Sequence, residues 1–312
     1  MGPRRLLIAE AALLGDLVMA TPLMAAAMRE GWEVHAAIRA SAHGLLDGLL
    51  PPERIHLLPP HPLKGRKCLR GVDPDLTLVT HRAHSTLLSV AGGRGPCWGY
   101  LGMGRGLLLR GGVRFNPMEH RVSNHLRLAK AAGLDPAPEE PLRLAATPGP
   151  CPEMPEGALI LNPNASWPEK AWSVSRWEEF ASAASEALGT CPVVVGGVGD
   201  RERTHRVASA CGGLDLGGKT DLPTLKRVLA KGRVMVTHDS GPSHIAVALG
   251  TPVVGIFGAT SPELVGPWPC ASARVLAPPR AVAPPSSGKG RRRWIDDLPW
   301  EPALDLAKAA WA

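Results

Sequence analysis

Residues 237–258 read THDSGPSHIAVALGTPVVGIFG, preceded by RVMV at 233–236. The apolar run RVMVTHD is the length of a buried strand, SHIAVALG has helical spacing, and TPVVGIFG is a second apolar strand. Strand, helix and strand within so short a span form a βαβ unit, which builds a parallel sheet with a right-handed crossover. Ser240, Gly241 and Pro242 then occupy the strand-to-helix turn, where backbone N–H groups without partners and the helix dipole favour an anion. Gly241 allows close backbone approach, and Pro242 suits a first helical turn because it has no N–H to leave unpaired. The competing reading is an ordinary helix cap by Asp239 or Ser240.

The same alternation runs outward in both directions. RRLLIA, EVHAAIRA, RIHLLP and DLTLVT are strand-like, while LVMATPLMAAAMREG, SAHGLLDGLL and HSTLLSVAGG carry helical patterns. Residues 135–157, DPAPEEPLRLAATPGPCPEMPEG, are too rich in proline for a helix or central strand and read as a linker. Beyond it, ALILNP, VSRWEEFASAASEAL, PVVVGG, DRERTHRVASAC and DLPTLKRVLAKG restart the strand–helix order. The expected fold class is therefore α/β, with Rossmann-like parallel-sheet domains at 1–150 and 151–290. A tail at 291–312 closes with a helical pattern that we expect to pack back on the first domain. Open sheets of this kind bind ligands beyond the carboxyl ends of their strands, so two of them facing each other leave a cleft for function.

Three further segments fall at such strand ends. ASWPEKAW, 165–172, follows the first strand of the second half, so Lys170 is placed where an ammonium neutralises a departing diphosphate; an exposed loop lysine is the alternative. GGVGDRE, 196–202, lacks the third glycine of a dinucleotide fingerprint. Asp200 or Glu202 remains a candidate partner for a nucleoside hydroxyl, against the plain reading of helix first-turn acids. EAALLGDLV, 10–18, follows the first strand and places Asp16 near a helix N-terminus, as a general base or simply as a capping acid.

Other patterns point away from their usual chemistry. Asp239, Ser240 and His244 have the letters of a hydrolase triad but sit in one turn, where converging hydrogen bonds are rarely available. His238 and His244 lack a third ligand at metal spacing. Asp73-Pro74-Asp75 precedes a strand and reads as a turn, not a metal-binding D-x-D. The run GKGRRRW at 288–294 has no aromatic interleaving, which argues against nucleic acid and fits a solvated loop or one touching lipid phosphates.

Composition sets the outer limits. The 312 residues bury a sizeable core without staples. Thirty-five Lys and Arg against 28 Asp and Glu leave a formal charge of +7, which favours anionic partners. Six scattered cysteines, with no C-x-x-C pair, read as reduced thiols of a cytoplasmic protein. The amino-terminal arginines imitate a secretion signal, but Glu10 and Asp16 interrupt the apolar run. No stretch reaches the ~18 apolar residues needed to span a bilayer.

Taken in order, GDLVMATPLMAAAM, LNPNASWPEKAWSVSRWEEFA, VVVGGVGDRE and HDSGPSHIAVALGTPVVGIFGATSPELVGPW resemble glycosyltransferase family 9, the lipopolysaccharide heptosyltransferases. The resemblance extends over nearly the whole chain. It implies a GT-B fold and an inverting transfer that needs neither cofactor nor metal. The implied donor is a nucleotide-diphosphate heptose, usually ADP-heptose, bound by the C-terminal half; the implied acceptor is a lipid A core or similar glycan, bound by the N-terminal half. By motif match, Asp16 takes the general-base position. Ser166 and Lys170 fall in a phosphate-contacting loop, and Asp239, Ser240, Gly241, Pro242 and His244 in the donor diphosphate and ribose loop. The chain departs from the usual pattern at His238 and Ala165, and at His81, Arg82 and His84, of which Arg82 and His84 are the acceptor-side candidates. We expect a monomer, peripheral on the inner face of the cytoplasmic membrane, with no nucleic-acid partner. The alternatives from the same reading are a GT-B-type sugar-nucleotide epimerase and a catalytically silent nucleotide-sugar binding protein.

Overall fold

The computed structural model describes residues 2–91, 95–102, 104–269, 273–278 and 294–312. The chain divides into two compact units, Met1–Ala145 and Ala146–Ala312. No helix or strand lies between Ala131 and Leu159, because the proline-dense segment offers neither the donors nor the dihedral freedom for one.

In the first unit six strands, β1 (Arg5–Glu10), β2 (Glu33–Arg39), β3 (Ile55–Leu58), β4 (Leu76–Val79), β5 (Cys97–Leu101) and β6 (Gly111–Arg114), form a parallel sheet in the order β3-β2-β1-β4-β5-β6. Helices α1 (Leu14–Met19), α2 (Thr21–Arg29), α3 (Pro62–Cys68), α4 (His84–Val90) and α5 (Arg121–Ala131) connect or flank them. In register, β1 pairs Leu6 with Val34 on one side and with Leu76 on the other. A central parallel strand covered on both faces must be apolar throughout, and Leu6, Leu7, Ile8 and Ala9 are all buried. The run expected as one helix over LVMATPLMAAAMREG is two, meeting at Ala20: Pro22 brings no N–H, and the Thr21 hydroxyl donates to Val18 O at 2.7 Å. The helical reading of SAHGLLDGLL is corrected. Only a 3₁₀ turn at Ala40–Ala42 forms, and Gly44 and Gly48, both at φ 83°, turn the chain away from helix. Asp75 Oδ2 accepts the Arg5 amide at 2.7 Å, a structural task in keeping with the turn reading of Asp73-Pro74-Asp75.

The second unit repeats the plan. Strands β7 (Leu159–Asn162), β8 (Val193–Val194), β9 (Leu214–Asp215), β10 (Val234–His238), β11 (Val253–Ile256) and β12 (Arg274–Leu276) lie parallel in the order β12-β11-β10-β7-β8-β9. The helices are α6 (Val174–Leu188), α7 (Arg201–Cys211), α8 (Leu222–Lys231), α9 (Gly241–Ala248), α10 (Pro262–Val265) and α11 (Glu301–Trp311). Local chemistry marks their ends: Ser173 Oγ accepts Arg176 N at the start of α6, Asp221 does the same for Thr224 N at α8, and Gly189 at φ 59° closes α6. The core joins Leu161, Val236 and Val254 from the strands to Trp172, Trp177 and Phe180. Ala303, Leu304 and Ala307 of α11 belong to this same core, which corrects the expectation that the closing helix serves the first domain. Their i, i+1, i+4 spacing gives α11 one apolar stripe, and the second unit's sheet receives it.

Among the described residues no helix is long and apolar enough to cross a membrane. Cys68, Cys97, Cys151, Cys191 and Cys211 are free thiols; Cys270, the basic run Arg291–Arg293 and the 290/291 boundary lie outside the described residues.

Candidate functional site

In the second unit, β7 and β10 are central neighbours with Asn162 in register with Thr237, so their carboxyl ends emerge side by side. Asn162, buried, donates from Nδ2 to Thr237 Oγ1 and to Ser240 Oγ, both at 3.0 Å. Asn164 Nδ2 in turn donates to Asn162 Oδ1 at 3.1 Å and to Val195 O at 3.1 Å. This network braces the turn that begins α9. Ser240 makes no side-chain cap to that helix; its hydroxyl faces Asn162 and Thr237, while its carbonyl accepts the Ser243 amide and hydroxyl. The simple N-cap reading of Ser240 therefore fails, and Gly241 and Pro242 open the first turn of α9 without a side-chain cap from it.

Lys170, in a 3₁₀ turn after β7, reaches Asp239 just beyond β10: Nζ to Oδ2 is 2.6 Å, with the two side chains only 12% and 8% exposed. The Thr260 hydroxyl donates to the same carboxylate oxygen at 2.7 Å, and the ammonium lies 4.6 Å from the Trp167 ring centroid. A buried pair of this kind holds because each charge is met by the other, the carboxylate also by the Thr260 hydroxyl and the ammonium by the Trp167 ring. The loop-lysine alternative is thus replaced by a lysine fixed against the α9 turn.

His238 is fully buried, and its Nε2 accepts from Trp172 N at 3.0 Å and Trp177 Nε1 at 3.2 Å. A nitrogen receiving two N–H donors carries no proton, so this imidazole is the Nδ1–H tautomer and its Nε2 belongs to the core. His244 is 3% exposed and packs within α9. Ser166 is exposed. Asp200 accepts Gly197 N at 2.8 Å, the capping use of an acid, and Glu202 is exposed in the first turn of α7.

In the first unit Asp16 sits in the first turn of α1, 3.7 Å from Arg121 Nε, with its side chain 20% exposed. The guanidinium of Arg121 lies 5.2 Å from the Phe115 ring, and that of Arg82 lies 4.6 Å from the same ring. Behind Asp16 is a carboxylate that the sequence reading passed over. Glu10, at the end of β1 and 2% exposed, accepts the Ala12 amide at 3.0 Å and the Thr80 hydroxyl at 2.7 Å. Burial, with the neighbouring charge of Asp16 adding to it, pushes Glu10 up to about 7. The only sequence signal for it was an acid ending an otherwise apolar central strand.

A cavity of about 420 Å³ in this unit is lined by Arg39, Ser41, His81, Ser85, Thr86 and Ser89 among others. His81 Nδ1 is 2.7 Å from Thr86 Oγ1, and burial lowers its proton affinity. The buried Arg105 donates to His81 O at 3.1 Å. His81, not Arg82 or His84, lines this cavity; those two are exposed. Among the described residues no group of three or more His, Cys, Asp or Glu is gathered as for a metal ion.

Two six-stranded parallel sheets define a Rossmann-like two-domain protein of the GT-B class, the fold of the solved structures it matches. Residues 63–284 match glycosyltransferase family 9 (heptosyltransferase), and the chain belongs to that family. It is 29% identical over 110 residues to lipopolysaccharide heptosyltransferase 1 of Pseudomonas aeruginosa, covering 35% of this chain and 31% of that protein, so the match spans about a third of the relative's length. The family 9 glycosyltransferase of Veillonella parvula superposes with a TM-score of 0.80 at 17% identity, over 99% of this chain and 97% of the other. The E. coli ADP-heptose LPS heptosyltransferase II gives 0.79 at 21% identity, over 99% and 98%.

Proposed function

We propose that the chain is an inverting, metal-independent glycosyltransferase that moves a heptose or related sugar from a nucleotide-diphosphate donor, ADP-heptose in the first instance, to a lipopolysaccharide-core-type glycan. The observation that carries this reading is the Lys170–Asp239 pair beside the α9 turn, in a chain of family 9. Asp16 removes the proton of the acceptor hydroxyl, and that oxygen forms the new bond to the anomeric carbon. The bond from that carbon to the diphosphate oxygen breaks, and its electron pair leaves with the nucleotide. Lys170 and the first turn of α9 stabilise the charge that develops on the diphosphate.

Asp239, itself an anion, serves this chemistry by orienting Lys170 and not by touching phosphate. Ser240, Gly241 and Pro242 receive the diphosphate, Ser166 borders it, and the Asp200–Glu202 turn and His244 lie on the nucleoside side. Arg82 and His84 serve the acceptor. The chain acts as a monomer in this reading, and its basic charge accords with work at the cytoplasmic face of a membrane.

The test is donor-dependent nucleotide release by purified protein with ADP-heptose and a core acceptor, with and without a chelator. Release that requires acceptor and survives chelation is expected. An isomerised donor formed with no acceptor would favour an epimerase, and tight donor binding with no release under any condition a silent binding protein.

A further inference from the structure

Glu10 stands at the junction of three elements. It ends β1, its Oε1 accepts from Ala12 in the loop that opens α1, and its Oε2 accepts from Thr80, one residue past β4. Asp16 is carried by the helix that this loop begins. The charged and titratable groups facing Glu10 are Asp16 from α1, Arg121 from α5 and the phenol of Tyr100 from β5. Arg121 is also the guanidinium beside Asp16, so one cation serves two carboxylates of unequal exposure.

Thr80 allows Glu10 to exist in either protonation state without an orphaned group. Its hydroxyl oxygen lies 2.7 Å from Glu10 Oε2 and 3.3 Å from Ala9 O. With Glu10 ionised, the hydroxyl donates to the carboxylate. With Glu10 protonated, the acid proton is donated to Thr80 Oγ1 and the hydroxyl rotates to donate to Ala9 O. Both arrangements satisfy every donor, which a fixed amide in place of Thr80 could not do.

We propose that Glu10 is a positioning residue for sugar transfer: it holds the loop that presents Asp16, and its protonation state, buffered by the Thr80 rotor, tunes the rate. Losing the proton places a second negative charge behind Asp16 and strengthens the hydrogen bond from Ala12, since a bond to an ionised acceptor is the stronger kind.

The inference rests on the transferase reading, and its experiment separates the two. Turnover is followed against pH in wild type, Glu10→Gln and Thr80→Val. Carboxyl carbon-13 spectra of glutamate-labelled wild type and Glu10→Gln read Glu10 with no turnover needed. The resonance missing from Glu10→Gln should titrate near 7 in the wild type. In that variant the neutral limb of the kcat profile should vanish, with kcat down on the order of tenfold and donor KM within about twofold. Thr80→Val removes a hydrogen bond that favours the ionised form, so the same limb should move to higher pH; this variant carries the test if Glu10→Gln does not fold. A resonance titrating in the ordinary carboxylate range, or pH profiles that superimpose on wild type, overturns the inference alone. A wild type that transfers no sugar overturns the transferase reading and this inference with it.

Discussion

Lys170 Nζ and Asp239 Oδ2 meet at 2.6 Å although the residues are 69 positions apart, one following β7 and the other following β10. The pair joins the ends of two adjacent strands to the turn where α9 begins. An ammonium held in this way has less conformational freedom than an unrestrained lysine, which is what its proposed role toward a diphosphate requires. Lys170→Ala is expected to lower kcat on the order of 10²-fold and to leave a buried carboxylate with Thr260 as its remaining partner. If Asp239 acts through Lys170, the Lys170→Ala, Asp239→Asn double variant will be no slower than the slower single one. Steady-state kinetics of the full cycle decide this, and additive losses would give the two residues separate tasks.

Asp16 belongs to the first unit, and the donor-side candidates belong to the second. Asp16→Asn should therefore cost about 10²-fold or more in turnover while donor affinity by calorimetry stays at the wild-type value. A matching loss of donor affinity would move Asp16 out of the base role.

Glu10 also makes a prediction about stability. Its folded value of about 7 stands above the ordinary 4.5, so between those limits the folded protein holds a proton that the unfolded chain has released. The stabilisation is fully present below 4.5 and is lost as pH rises through 7, in total roughly 3 kcal/mol at about 1.4 kcal/mol per pH unit. Glu10→Gln carries no such titration. Thermal melts from pH 5 to 8 should show wild type losing Tm relative to Glu10→Gln, and parallel curves would show that Glu10 does not ionise in this window.

His238 is expected to matter for folding before chemistry. His238→Leu leaves the Trp172 amide and the Trp177 indole N–H without their acceptor, at about 1–3 kcal/mol for each buried donor. Urea unfolding should report a loss of this size, whereas a variant as stable as wild type but inactive would assign His238 to the reaction.

Much of the plan was legible in the chain because the signals are local. Apolar runs of strand length and the prolines of 135–157 each act on their own neighbours, and they place Asp16, Lys170 and the Ser240–Pro242 turn just past strand ends. Local signals also misled where glycines competed: SAHGLLDGLL has a helical spacing of leucines, yet Gly44 and Gly48 adopt positive φ and no α-helix forms there. The stripe on α11 announced that it would be buried, but not which sheet would receive it.

By itself, then, the sequence determined two parallel α/β units, the residues standing at their strand ends, and membership of a family that its motifs already resembled. Tertiary structure alone decided which of those residues meet. In each sheet the neighbours at the centre, β1 with β4 and β7 with β10, are strands far apart in the chain, paired by crossovers that no local pattern encodes. That pairing brings Thr80 to Glu10 and Lys170 to Asp239, and the packing of α6 against β10 makes His238 a core acceptor for two tryptophans. Contacts of this kind depend on strand order and burial, which the order of residues specifies only once the whole chain has folded.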